Sequence, residues 1–362
     1  MGPTGTGSAA GATRVSTLVA SGGRVDWLAS GGRWIAFDRK GADGFYDVWM
    51  AAEDGSGERC LTDRPGILPA RNNGQPAWHP DGRHMVLQAE KADSTIDLPM
   101  TRPGAGVLND LWLIDVEAGP AWLIRDVPGS SGGTLHPHFS HDGLRLSWSE
   151  LYGPAARTSG HEVGLWRLMV ADLVWDSGVP CLAGVTGQVP GVEGFYENHG
   201  FSPDGSKLIF TAPLEEGRRV RSSNLWTLDL GDGSLDQLTN EGYNEHGQYS
   251  PDGSRIVWMT GNGAGDGVWG RDYWATELWI MDADGGGKEQ LTFANEPGHE
   301  HQGWSGGLTG STIFADSSWH ADGDRLIVLA LLAGEDGLSV VTGGDPLAES
   351  VLLVRPDLGL LA

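Results

Sequence analysis

An all-β fold is predicted, a six-bladed β-propeller of four-stranded antiparallel blades closed by an N-terminal strand that completes the last blade. Three observations predict it. The first is a recurring turn, Trp78-His-Pro-Asp-Gly82, Phe139-Ser-His-Asp-Gly143, Phe201-Ser-Pro-Asp-Gly205, Tyr249-Ser-Pro-Asp-Gly253 and Trp319-His-Ala-Asp-Gly323, with a degenerate copy at Trp27-Leu-Ala-Ser-Gly-Gly32. The turn glycines at 32, 82, 143, 205, 253 and 323 are 50, 61, 62, 48 and 70 residues apart, a constant core with variable loops. The second is the strand-period alternation after each turn, as in Ile256, Trp258 and Thr260. The third is that Arg14 to Val19 stands where other units have a fourth strand, while Ser350 to Arg355 resembles a third strand with no fourth after it.

Each unit begins with an innermost strand ending in an aromatic residue. Asp-Gly then turns the chain, because glycine takes positive φ cheaply and aspartate bonds its own backbone. The second strands run Trp34 to Phe37, Met85 to Leu87, Leu146 to Trp148, Leu208 to Phe210, Ile256 to Trp258 and Leu326 to Leu329. A third strand carries a tryptophan, at Trp49, Trp112, Trp166, Trp226 and Trp279, expected to pack between blades. The fourth ends in Leu-Thr or a variant, at Leu61, Leu123, Leu182, Leu238 and Leu291. Residues 1–12 read as a flexible Gly/Ser/Ala tail, and 13–362 as one propeller domain.

The balance of 24 basic against 48 acidic residues, net −24, argues against nucleic acid or an anionic membrane as partner. No apolar run is long enough to cross a membrane, and no basic-then-apolar leader opens the chain, so a cytoplasmic location is the expectation. Cys60 and Cys181 fall at the same fourth-strand position of blades one and three, too far apart for a disulfide.

Topology sorts the loops onto two faces. Tight turns take the lower face. Long insertions take the upper one, 90–109, 150–164, 212–224, 261–276 and 293–317, and place Arg102, Tyr152, Arg157, His161, Arg218, Arg219, Arg221, Arg271, Tyr273 and Trp274 there. Of 11 histidines, His136, His138, His199, His246, His299 and His301 lie in segments entering the innermost strands, which line the central channel. Counted back from the turn aspartate, His136 and His246 share position minus six, as do Gln75, Asn198 and Asp316, and His199 is one residue off. Imidazoles converging from several blades beside Glu197, Glu245 or Glu300 suit a divalent transition metal, Mn, Fe, Ni, Cu or Zn. His136, His138, His246, His299 and His301 are the expected metal ligands, with His199, Arg271 and Tyr273 as catalytic candidates. Isolated histidines also serve to cap loop backbones, and the turn aspartates and third-strand tryptophans have purely structural readings.

The aromatic-Ser-Pro-Asp-Gly hairpin followed by Leu-Trp, Asp-Gly and Leu-Thr resembles the WD40-like (PD40) repeat of the TolB propeller family over nearly the whole chain. His136-Pro-His138-Phe-Ser140 and Gly298-His-Glu300 are similar to short patterns of oligogalacturonate lyases, propellers whose central histidines hold manganese. That resemblance implies a lyase-like or tailoring enzyme in which a metal at the upper channel mouth acts on a small polar or acidic substrate and a His or Arg serves as base. The alternative is a non-catalytic TolB-like module that presents the same mouth to a peptide or protein.

Overall fold

The structure is a computed structural model that describes residues 13–95, 99–117, 119–129, 131–153, 163–215, 220–261, 275–334 and 346–356. Its strands form six four-stranded antiparallel sheets, each built from consecutive strands except the last. Blade one holds β2 (Val25–Trp27), β3 (Trp34–Lys40), β4 (Tyr46–Ala52) and β5 (Arg59–Cys60). Blade two holds β6 (Asn73–Trp78), β7 (His84–Glu90), β8 (Asn109–Asp115) and β9 (Ala121–Arg125), and blade three β10 (Thr134–Phe139), β11 (Arg145–Leu151), β12 (Trp166–Asp176) and β13 (Val179–Gln188). Blade four comprises β14 (Glu197–Phe201), β15 (Lys207–Ala212), β16 (Asn224–Asp229) and β17 (Leu235–Gln237). Blade five comprises β18 (Tyr243–Tyr249), β19 (Arg255–Gly261), β20 (Thr276–Asp282) and β21 (Glu289–Gln290). Blade six takes β22 (Ser311–Trp319), β23 (Leu326–Ala333) and β24 (Ala348–Arg355), and its outer strand is β1 (Arg14–Val19).

The closure is as the sequence predicts. β1 pairs with β24 from Arg14 opposite Arg355 to Val19 opposite Val351, and Ser350 Oγ donates to Ala20 O. Joining the first segment to the last covers the edge that a linear array of sheets leaves open. The core is divided among the seams: second-strand residues such as Phe37, Leu87, Trp148, Phe210 and Trp258 are at most 2% exposed and face the neighbouring blade. A side chain of this size, fully buried, contributes about 3–5 kcal/mol measured against alanine.

On the lower face the turns interlock. All six turn glycines have positive φ, and each is overlain by a side chain from the turn region of the preceding blade: Gly32 by His320, Gly82 by Leu28, Gly143 by His79, Gly205 by Arg145, Gly253 by Pro203 and Gly323 by Pro251. At Gly32 a Cβ would lie 1.9 Å from His320 Nε2, so both the backbone conformation and the contact require glycine.

Blade three departs from the predicted alignment. The second-strand residue five places after the turn glycine faces Trp49, Trp112, Trp226 and Trp279 in blades one, two, four and five, but in blade three Trp148 faces Met169. Trp166 is three residues upstream, opposite Leu151, and closes a separate cluster with Leu135 and Phe195. Cys181 therefore does not match Cys60: Cys60 faces Trp49, whereas Cys181 faces Val174, far along a hairpin whose strands run to 11 and 10 residues. A Leu-Trp pair before an apolar strand imitates the repeat, and only the ladder distinguishes them. Both cysteines are free. Among the described residues no helix is long and apolar enough to cross a membrane.

Candidate functional site

The innermost strands of blades two to six each carry a register shift midway, between Gly74 and Ala77, Leu135 and His138, Asn198 and Phe201, Glu245 and Gln248, and Phe314 and Ser317. A bulge re-aims one side chain. Of the five non-glycine residues with positive φ among those described, three are the bulge residues Gln75, His136 and His246, at 47°, 47° and 54°. Such backbone costs about 1–3 kcal/mol per residue and persists where surrounding structure imposes it. In blade four the positive φ falls on Gly200 instead, at 100°, and His199 replaces Asn198 at the axis. Asn198 turns away to donate to His136 O and Ser147 Oγ.

The bulges of blades two to six bring Gln75, His136, His199, His246 and Asp316 into an upper axial layer, which Arg24 of blade one completes without a bulge. His136, His199 and His246 form a near-equilateral triangle with ring centroids 5.5, 5.4 and 5.3 Å apart, and one ligand nitrogen from each lies within 4.8 Å of the others. Asp316 Oδ1 is 3.3 Å from His136 Nδ1 and 3.5 Å from His246 Nδ1. The outer nitrogens have polar neighbours: His136 Nε2 is 2.7 Å from Glu197, His199 Nε2 is 2.8 Å from Thr211 Oγ1 and accepts from His246 N at 3.2 Å, and His246 Nε2 is 3.7 Å from Glu245. The Gln75 side-chain amide lies 3.0 Å from both nitrogens of His136, with its oxygen accepting from His136 N. His199 Nδ1 and His246 Nδ1 are buried without a hydrogen-bond partner.

Burial opposes charge throughout this layer, and neighbours decide the outcome. Burial pushes the His136 pKa down, but Glu197 and Asp316 outweigh it and the value rises. Burial, with His246 and His136 alongside, holds His199 well below the usual imidazole value. His246 is lowered by burial despite Asp316 and Glu197. Glu245 is raised well above the carboxylate range by burial and by Glu197, whereas Glu197 itself is lowered because His136 overcomes its burial. Asp316 is likewise lowered, by His246, His136 and Arg24 against burial. Arg24 pairs with Asp38 at 3.5 Å, and Asp38 in turn accepts from the backbone N–H groups of Arg24 and Gln75.

One step toward the lower face lies a second layer, Asp26, Ala77, His138, Gly200, Gln248 and Ser318, five of which face the fourth residue after a turn glycine. His138 belongs here and not with the triangle, since the bulge at His136 puts the two out of strand alternation. Burial, then His136, lowers its pKa to about 3.

The structure places His299 and His301 elsewhere. They lie at the start of the 3₁₀ segment Glu300–Ser305, which packs against β1 on the outer rim, ten residues or more before β22 begins. His301 Nε2 is 2.9 Å from Thr13 O, and its Nδ1 accepts from Phe293 N, so this imidazole joins the closing strand to the loop after blade five. Arg271 and Tyr273 lie outside the described residues, as do Arg157, His161, Arg218, Arg219 and Trp274. Arg24 was missed because blade one lacks the turn aspartate used for counting. Counting from the aromatic finds it: Arg24 precedes Trp27 by three residues, as Gln75 precedes Trp78, His136 Phe139, His246 Tyr249 and Asp316 Trp319.

Fold and site together define a closed six-bladed propeller with an imidazole and carboxylate cluster on its axis. No protein-family model matches the chain, and no curated protein matches its sequence. Its structural neighbours are TolB-like and other propellers. TolB from Acinetobacter baumannii superposes with a TM-score of 0.51 at 18% identity, covering 86% of this chain and 59% of TolB, a likeness of fold alone. A putative TolB from Agrobacterium tumefaciens gives 0.47 at 16% identity, covering 83% of this chain and 94% of that one.

Proposed function

We propose that this propeller is a metal-dependent enzyme, lyase-like or tailoring, that works on a small polar or acidic substrate at the axial site. His136, His199 and His246 would hold a divalent transition metal with Asp316 as an oxygen ligand, a nitrogen-rich set suited to Mn, Fe, Ni, Cu or Zn. The observation that supports this is the pair of buried nitrogens without a hydrogen bond, His199 Nδ1 and His246 Nδ1, the latter 3.5 Å from Asp316, in a cluster whose three imidazoles each offer a nitrogen within 4.8 Å of the others. Buried polar atoms are ordinarily satisfied, and two imidazole nitrogens without hydrogen bonds in one cluster suit a cation. The pairing of His136 Nε2 with Glu197 adds support, because metal-bound histidines usually give their other nitrogen to a carboxylate.

Bound there, such a metal supplies Lewis-acid polarisation of a substrate oxygen and lowers the pKa of an adjacent acidic proton. Around it, Glu197 orients the His136 ring, and burial beside Glu197 holds Glu245 above the usual carboxylate range. A second reading, a module that binds a peptide or protein, draws on a different feature. The outer edge of blade three, β13, is 10 residues long and carries no charged side chain, an open template for an added strand.

Metal analysis of protein purified without a histidine tag tests the first reading. About one transition metal per chain is expected, lost in His199→Ala and His246→Ala, with Mn, Ni, Cu or Zn raising the melting temperature of the metal-free protein. No metal and no stabilisation would return the axis to a structural role and favour the binding module.

A further inference from the structure

Beneath the imidazole triangle the channel widens into a chamber of about 110 Å³. The widening has a sequence cause: two of the six second-layer positions are Ala77 and Gly200, so no side chain fills the axis there. Several aromatic residues contribute to its wall, Trp27, Trp78, Phe139 and Phe201 among them, together with the Asp26 carboxyl and the His138 imidazole. Among the described residues no Lys or Arg lines it.

Asp26 is the feature without a structural counterpart. Its Oδ2 accepts from Trp78 N at 2.6 Å and its Oδ1 from Ser318 Oγ at 2.8 Å, so both partners are neutral donors. Among the described residues no ion pair engages it, although Asp38, Asp110, Asp115 and Asp316 each have a basic partner. Burial consequently raises its pKa to about 7 against those hydrogen bonds. The His138 imidazole, whose ring makes no hydrogen bond among the described residues, faces the same space. A half-buried carboxylate without a basic partner among the described residues, aromatic walls and an imidazole make an environment complementary to an organic cation, which aromatic faces attract and a carboxylate neutralises.

We propose that this chamber binds a small organic ammonium ion, with Asp26 as its counter-ion and His138 as a hydrogen-bond acceptor. The volume admits a ligand of a few heavy atoms, since each water-sized occupant needs roughly 10–15 Å³ on this measure. The chamber shares His199 with the axial cluster, but its carboxylate and aromatic walls do not depend on a metal being held there. Bridging blades one, two and six through Asp26, a bound ammonium would also connect the closure of the ring to the occupancy of the channel.

The test is thermal unfolding at pH 8 in the presence of a chelator, with ethylammonium chloride titrated against potassium chloride at equal ionic strength. A saturable rise of several degrees with ethylammonium, absent with potassium, is expected. It should fall at least fivefold in Asp26→Asn and in Ala77→Val, which adds bulk at a residue lining the chamber, and persist in His246→Ala. Should Asp26→Asn fail to fold, Ala77→Val decides. A shift equal in the wild type and both variants, or an equal effect of potassium, overturns the assignment, as does the absence of any saturable shift.

Discussion

The upper axial layer and the lower ring of turns are built from the same six inner hairpins, a few residues apart, and they differ in every other respect. Below, the same residue recurs: a glycine at positive φ under a side chain from the preceding blade, six times over. Above, the geometry recurs while the residue changes, Arg24, Gln75, His136, His199, His246 and Asp316. Uniform residues at equivalent positions build the ring. A recurring bulge that brings arginine, glutamine, histidine and aspartate side chains together builds a site, and it does so at the cost of left-handed backbone at Gln75, His136 and His246 and of charges held out of water.

This contrast can be broken by experiments of graded severity. The largest effect should come from removing residues 1–20: without β1 the ring loses its closing strand, and calorimetry should show a destabilisation of several kcal/mol or loss of cooperative unfolding. A truncated chain that melts like the full-length one would contradict the closure. Next in size is Gly32→Val, which meets both positive φ and His320, with an expected loss of about 2–4 kcal/mol by chemical denaturation.

Asp26 gives a smaller, pH-dependent effect. Its pKa is about 7 when folded against 3.8 for the free side chain, so the folded state holds the extra proton between those values and stability falls as pH rises from about 4 to 7. Subtracting the Asp26→Asn profile from the wild-type profile isolates this fall, expected at roughly 1–3 kcal/mol. A flat difference would show that the carboxyl titrates normally. The smallest effect sharpens the comparison most. His246→Gly relieves the left-handed backbone and should leave the metal-free protein as stable as the wild type or up to about 1 kcal/mol more so. Stabilisation by added metal should vanish in the same variant.

The fold was legible because its evidence is local and repeated: Asp-Gly turns, alternation, and the two unpaired ends at Arg14–Val19 and Ser350–Arg355. Blade three misled, since Gly164-Leu-Trp166 reproduces the third-strand motif three residues too early and only strand pairing places Met169 there. At the site, position minus six from the turn identified His136, His246 and Asp316 as equivalent. It could not separate His138 from them, because that distinction depends on a bulge, and a bulge leaves no residue-type mark when histidine or glutamine takes the left-handed conformation. His299 and His301 precede an inner strand in sequence, but a long insertion carries them back to the rim, where Thr13 occupies His301.

The pairing of β1 with β24 also sets an order in time. Val19 and its partner Val351 are separated by 351 − 19 = 332 residues, so during synthesis β1 emerges first and waits while five blades form. Loop closure over that separation is entropically costly and slow, which makes completion of blade six the last event of assembly. Throughout the wait β1 is an unpaired edge. Arg14, Ser16 and Thr17 remain exposed even in the finished ring, whereas Val15, Leu18 and Val19 join the core clusters, so the closing event buries the apolar half of β1 and leaves its polar half in water.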